Sequence, residues 1–311
     1  MTEMTAHKQF LASLSPAQRR TLCAQSDRPA LIHMGLHLGL IAALGTYIAT
    51  GQPLWWLALL PQGILIVFLF TALHELIHRT AFANDRLNDF FARLCGFIVL
   101  LPPHEFRYFH MAHHRFTHDP ERDPELSGPK PDTLWAYVRY LSGLPDLKWR
   151  ITNLLRNAFT DSKAPYVPPR GRKRVRQEAQ AFLAGYLITF GCAALFEQTW
   201  QFWAWLLPML IAAPFLRGYL LAEHARCPHV ADMFANTRTT FTNHAMRWLA
   251  WNMPYHAEHH AYPAVPFHRL PQFHALCAEH LNVTQNGYVP FNADYATDAA
   301  KGTLTQTSPV S

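Results

Sequence analysis

The sequence predicts an all-α integral membrane protein with four transmembrane helices in two hairpins and a helical cap on one side of the bilayer. Three observations predict it. Four mostly apolar runs occupy residues 29–50, 53–73, 181–196 and 200–222. The links inside each pair, Gly51-Gln52 and Glu197-Gln198-Thr199, are very short. The polar segments that follow the pairs carry three histidine clusters. Composition points the same way: half of the 311 residues are apolar and 15% are charged, against about a quarter charged in soluble domains.

Residues 1–28 form a polar N-terminal segment with Lys8, Arg19, Arg20 and Arg28. Ser15-Pro16 reads as a helix start, with serine as N-cap and proline at the first helical position. A cleavable secretory leader is not expected, because the first apolar run begins only at Pro29 and is too long for one. A membrane domain is expected over 29–281. Its first two runs hold 22 and 21 residues, and a bilayer core takes about 20 residues of helix. His33 and His37 lie four apart in the first run and are expected to pack or to sit at the interface. Phe90 to Leu101 is apolar but too short to span, so an interfacial or re-entrant position is expected. Residues 119–178 are polar and proline-rich. Their basic run, Arg170 to Arg174, reads as a cytoplasmic flank that could also steer an acidic redox partner. The runs 181–196 and 200–222 form the second hairpin, and Pro208 and Pro214 are expected to kink its second arm. The segment 282–311, rich in Thr, Ser and Ala, is expected to be a partly disordered tail.

The hairpin tips, 50–53 and 197–200, carry no lysine or arginine. The positive-inside rule therefore puts both termini and the middle segment in the cytoplasm. Trp55, Trp56 and Trp200 then fall at the opposite interface, and all three histidine clusters share the cytoplasmic side. The net charge of +6 does not argue for nucleic acid, since the basic residues are mixed with acidic ones and flank apolar runs. Five scattered cysteines without a C-x-x-C suggest neither a zinc ribbon nor an iron–sulfur site. They are expected to remain reduced thiols.

The clusters are His74-Glu75-Leu76-Ile77-His78, His110-Met111-Ala112-His113-His114 and His256-Ala257-Glu258-His259-His260. Residues three and four apart share a helix face, so each cluster presents its imidazoles together. Two copies of H-x-x-H-H in one chain are hard to explain as packing and read as metal ligands. Neutral imidazole suits iron, zinc, copper or nickel. Zinc takes three or four protein ligands, so eight or nine histidines are too many for one zinc and fit two metals. Two irons could reduce dioxygen, which two zincs could not. A membrane site that needs them is best explained by attack on an unactivated C–H bond.

The order H-x-x-x-H, H-x-x-H-H, H-x-x-H-H, between and after two membrane hairpins, resembles the membrane fatty acid desaturase family across most of the chain. The resemblance implies two non-haem iron ions, dioxygen as co-substrate and desaturation of a fatty acyl or lipid-like chain. It carries ligand roles to His74, His78, His110, His113, His114, His256, His259 and His260. His224, in Leu221-Ala222-Glu223-His224, stands where the family has a ligand just after the last membrane helix. Members vary at the position of His118, which stays open as a tenth ligand. The stretches Pro103–His110 and Asn252–His268 resemble a bacterial branch that acts on acyl chains and amino-acid-derived ethers, and that is close to decarboxylases making terminal alkenes. Desaturation, hydroxylation and decarboxylation therefore remain open from the ligands alone. No His-Pro-Gly-Gly segment occurs, so electrons are expected from a separate ferredoxin-, rubredoxin- or cytochrome-like protein.

Ligating histidines need an acceptor for the second ring nitrogen. Glu75, Asp119, Asp123, Glu223 and Glu258 are the nearby carboxylates. His104, His229, His244, His268, His274 and His280 are expected to be supporting or surface groups. Two other classes compete. His74-Glu75-Leu76-Ile77-His78 is also the H-E-x-x-H motif of zinc metalloproteases, with Glu75 as general base, but this leaves the other two clusters idle and no Asp-Gly occurs in the chain. A metal transporter would need polar ligands inside its spans, where Arg217 is an exception among mostly apolar residues.

Overall fold

The computed structural model describes residues 4–128 and 130–304, and it is mostly helical. Two short helices open it, α1 (Ala6–Ser13) and α2 (Pro16–Leu22). Ser15 caps α2 reciprocally: its Oγ accepts from the Gln18 N–H at 3.2 Å, and Gln18 Oε1 accepts from the Ser15 N–H at 2.9 Å. Next come α3 (Asp27–Ala49), α4 (Leu59–His78), α5 (Asp85–Ile98) and α6 (Pro103–Phe116). They are followed by α7 (Leu134–Leu141), α8 (Leu144–Phe159), α9 (Pro169–Leu195) and α10 (Leu207–His224). The remaining helices are α11 (Met233–Asn236), α12 (His244–Leu249), α13 (His256–Ala261), α14 (Leu270–Cys277) and α15 (Tyr288–Lys301). Four helical stretches are long and apolar enough to cross a membrane: Pro16–Ala49, Trp55–His78, Pro169–Leu195 and Phe202–His224.

The helices overrun the apolar runs for local reasons. α4 continues past Leu73 to His78, where Arg79 turns left-handed at φ 62° and ends it. α9 begins at Pro169, well before the apolar run at 181, because its polar first half packs on α6 and α8: Gly171 lies so close to Tyr108 that a Cβ there would stand 2.5 Å from the phenol oxygen. The last span starts as a π-helical turn, Phe202–Leu206, just before Pro208, which has no N–H to give to the preceding turn.

The closest helix approach is between α4 and α10. A Cβ on Gly63 would stand 2.0 Å from the Pro208 carbonyl oxygen and 2.8 Å from Ala212 Cβ. Small residues at such crossings let backbones touch, which is how helices pack where no hydrophobic effect drives them together.

The apolar stretch 90–101 is the second half of α5 and the turn after it. Helix C-termini leave carbonyls without intrahelical donors, and three side chains from other segments serve them. Tyr186 Oη donates to Phe97 O at 2.9 Å, Trp205 Nε1 to Ile98 O at 2.8 Å and Arg150 Nη1 to Val99 O at 2.6 Å. One helix end thus ties together α8, α9 and the π turn.

Three expectations need correction. The fold is not wholly α-helical: β1 (Thr239–Phe241) pairs in parallel with β2 (Thr284–Asn286). Residues 119–178 are not simply polar, since α7 and α8 expose apolar faces that include Trp135 and Phe159. Much of the segment 282–311 is folded, because α15 buries Phe291, Tyr295 and Ala299 against α7 and α10. The end of that tail, 305–311, lies outside the described residues.

Candidate metal centre

Four segments bring the nine candidate histidines together. His74 and His78 close α4, His110, His113 and His114 lie on α6, His224 ends α10, and His256, His259 and His260 lie on α13. Seven are buried, while His78 and His114 are half-buried. Their imidazoles form two groups. His74, His78, His110, His114 and His259 each offer a ring nitrogen within 4.8 Å of the others, and so do His113, His224 and His260. His256 adjoins the second group, its Nε2 lying 3.1 Å from His224 Nε2. The groups abut where the His114 and His260 rings stack at 4.1 Å.

The spacing has the dimensions of a coordination shell. Facing nitrogens lie 2.9 Å apart in His110–His114, 3.1 Å in His113–His224 and 3.2 Å in His78–His259. Two donors about 2.1 Å from one metal, at a right angle, would be about 3.0 Å apart. Both nitrogens of His74 and Nε2 of His260 are buried without a hydrogen-bond partner, and the Nε2 atoms of His78, His110, His113, His114, His224, His256 and His259 find only other imidazole nitrogens within hydrogen-bond distance. So many buried orphans are costly unless something else uses them. Burial also holds His110, His114, His256, His259 and His260 well below the ordinary imidazole value, so each keeps a lone pair to offer. The residues fit a pair of first-row transition metal ions with all-nitrogen ligation.

His113 is held differently. Its Nδ1–H donates to Asp123 Oδ1 at 2.9 Å, which leaves Nε2 free to face His224. Burial lowers its pKa, but the carboxylates of Glu125 and Asp123 outweigh that and leave it raised. Asp123 also accepts the His118 backbone N–H at 2.8 Å. Glu223 stands 3.5 Å from His256 Nδ1, and Thr117 Oγ1 stands 3.3 Å from His260 Nδ1. The other candidate carboxylates bond elsewhere: Glu75 accepts from the Phe267 N–H, Asp119 pairs with Arg122, and Glu258 holds His274 and Thr239.

The remaining histidines stay outside both groups. His118 turns left-handed at φ 63° just past α6, and its ring sits against His229 at 4.7 Å. His33 stacks on Trp248, and His37 bonds the Leu65 carbonyl. His104 lies by Glu178, His244 by Arg247 and His280 by Phe10.

A cavity of about 410 Å³ opens on both groups, with His74, His110, His224 and His256 in its wall. Phe70, Leu101, Phe106, Phe109 and Leu220 give it an apolar side. Its charged side holds Glu125, Lys130, Asp146, Arg150, Arg217 and Glu223. Sequence reasoning missed most of these, because isolated charges in a polar segment have no periodicity. Arg217 had a mark as a charge inside an apolar run, and Glu223 as a carboxylate beside a candidate ligand.

The sequence profile of the fatty acid desaturase family matches residues 19–292. The chain is similar to a sphingolipid delta(4)-desaturase of Drosophila melanogaster, 27% identical over 70% of this chain. That alignment spans 64% of the fly protein's length. A Bos taurus sphingolipid delta(4)-desaturase/C4-monooxygenase is 25% identical, over 76% of this chain and 71% of its own. The dihydrorhizobitoxine desaturase of Bradyrhizobium elkanii is 27% identical, over 82% of this chain and 76% of its own. Histidine groups on three helices and at the end of a fourth are thus embedded in a match that runs nearly end to end, and the chain belongs to the fatty acid desaturase family.

Proposed function

We propose that this chain is a membrane di-iron oxidoreductase that uses dioxygen to desaturate an aliphatic, lipid-like substrate. The observation that carries the reading is the convergence of nine imidazoles, in two groups, on one cavity. His74, His78, His110, His114 and His259 would hold one iron, and His113, His224, His256 and His260 the other. The iron pair would supply the oxidising power needed to remove hydrogen from an unactivated carbon. The chain's own residues do the rest. Burial keeps the imidazoles of His110, His114, His256, His259 and His260 neutral, Asp123 fixes the tautomer of His113, and the aromatic wall of Phe70, Phe106 and Phe109 keeps water from an alkyl chain.

Hydroxylation at the same site is the second reading, favoured by the bovine relative's name, which pairs a desaturase with a monooxygenase. Formation of a terminal alkene from a fatty acid would use the same ligands. The protease reading loses its base, since Glu75 is fully buried and accepts from the Phe267 N–H. Two hairpins, a cytoplasmic cap and cytoplasmic termini complete the proposal, on the strength of hairpin tips without lysine or arginine, with electrons supplied by a separate donor.

The test is mass spectrometry of lipids and headspace from cells expressing the chain or His259→Ala, with iron counted in both purified proteins. New double bonds that vanish in the variant support desaturation, and a new alcohol or volatile alkene selects the corresponding alternative. A purified wild-type chain that holds zinc or no metal would overturn the di-iron reading.

A further inference from the structure

Arg217 lies inside the last candidate span, where a charge is expensive and marks function by default. Its direct ion pair is a shared one. Among the described residues, the carboxylate within 4.0 Å is Asp146, at 3.6 Å. Asp146 is already engaged by Arg150, at 2.8 Å. Two guanidinium groups therefore share one carboxylate in direct contact, and the other acidic groups of the cavity, Glu125 and Glu223, lie beyond ion-pair distance of Arg217. Arg217 Nε is buried without a hydrogen-bond partner. The guanidinium lies over the Tyr140 ring at 4.0 Å, which fixes its plane and leaves its edge to be used.

The position of the group matters as much as its charge. Arg217, Arg150 and Asp146 line the 410 Å³ cavity and also a small apolar crevice of about 50 Å³ walled by Val67, Leu147, Met209 and Leu216. They form the joint between the two. Beside the histidines the same cavity carries the acidic groups Glu125 and Glu223, which offer an anion no counter-charge. An anionic group would settle at the joint, and the chain attached to it would lie in the cavity that reaches the histidines.

Resting on the desaturase reading above, we infer that Arg217 reads the substrate's head group, and that this head group is a free carboxylate. The planar guanidinium edge matches a carboxylate's two oxygens. A neutral amide or alcohol head would leave Arg217 unpaired.

The test is binding without turnover. Iron-loaded protein in detergent is titrated with radiolabelled octanoate by equilibrium dialysis, with octan-1-ol and octylamine as competitors. The wild type should bind octanoate saturably, and neither competitor should displace it at equal concentration. Arg217→Gln should weaken binding by about 30-fold or more, as loss of one partner of a buried charge pair does. Arg217→Lys should recover part of the loss. Asp146→Asn removes the competing carboxylate and should tighten binding, an opposite sign that loss of folding cannot mimic. Unchanged octanoate affinity in Arg217→Gln that keeps its iron and its melting temperature would overturn the inference, and so would equal displacement by octan-1-ol. Wild-type protein that holds zinc or no metal as purified, yet binds octanoate through Arg217, would instead defeat the di-iron reading and leave this one standing.

Discussion

Asp123→Asn is a change of one atom type with a calculable consequence. The carboxylate accepts three hydrogen bonds: from His113 Nδ1 at 2.9 Å, from the Glu125 N–H at 3.0 Å and from the His118 N–H at 2.8 Å. An amide has one accepting oxygen and one donating nitrogen. If the oxygen faces His113, the nitrogen meets the His118 N–H, donor against donor. If the amide is flipped, its nitrogen faces His113 Nδ1 and selects the other tautomer, which puts a proton on the Nε2 that faces His224. A buried donor left unsatisfied costs roughly 1–3 kcal/mol. Loss of a carboxylate behind a ligating histidine typically lowers metal affinity about 10–100-fold, which is about 1.4–2.8 kcal/mol. The two routes give the same size. The assay is chelator competition on purified protein, with iron per chain read at each chelator concentration. Asp123→Asn should release iron at chelator concentrations about 10–100-fold lower than wild type. Asp119→Asn should not, because Asp119 pairs with Arg122 and touches no histidine of either group. Iron affinity of Asp123→Asn within about twofold of wild type would refute the reasoning that this carboxylate positions a ligand.

Three further outcomes follow from the packing. Gly63→Ala puts a Cβ 2.0 Å from the Pro208 carbonyl oxygen, where real contacts begin near 3.4 Å; α4 and α10 must separate, at a cost of roughly 1–3 kcal/mol. Melting temperature and iron content should fall together, and a variant equal to wild type in both would disprove the close crossing. Glu105, buried and hydrogen-bonded by Asn153 and Asn157, is pushed up to about 7 from 4.5 by burial, partly offset by those asparagines. The folded state therefore binds its proton more tightly than the unfolded state. That stabilisation is complete below about pH 4.5 and is lost as pH rises through about 7, a loss of order 3 kcal/mol. Glu105→Gln should flatten the decline in stability between about pH 4.5 and about pH 7, the bounds set by these values, and an unchanged slope would assign the decline to other groups. Removing bound metal with a chelator should lower the melting temperature, since nine crowded imidazoles lose the ion that uses their lone pairs; equal melting temperatures of apo and holo protein would separate the cluster from metal.

What the sequence makes legible is the face each histidine occupies, and what it hides is the partner that face meets. At about 100° per residue, the first and last histidines of H-x-x-H-H lie about 40° apart, while the middle one is turned about 60° the other way. One box therefore serves two directions. In α6 the pair His110 and His114 joins the five-histidine group and His113 turns to the other. In α13 the middle residue, His259, joins the five, while His260 and His256 side with His224. The two boxes are used in opposite senses, so a two-plus-one division from one is completed by a one-plus-two division from the other. His74 and His78, four apart on α4, add a pair to the first group, and His224 adds one residue to the second. Nothing in the spacing could reveal which face each helix turns to its neighbours, because docking decides that. The same limit explains the other gaps. A three-residue strand such as Thr239–Phe241 is too short for alternation to register. The apolar faces of α7 and α8 are averaged away among their charges. Arg217 is visible as a charge in an apolar run, but the sharing of its ion-pair partner emerges only when α10 meets the start of α8, where Asp146 is already committed to Arg150. The histidine chemistry is local and periodic, and so it could be read along the chain. The group that selects the substrate depends on a balance of charge across two helices.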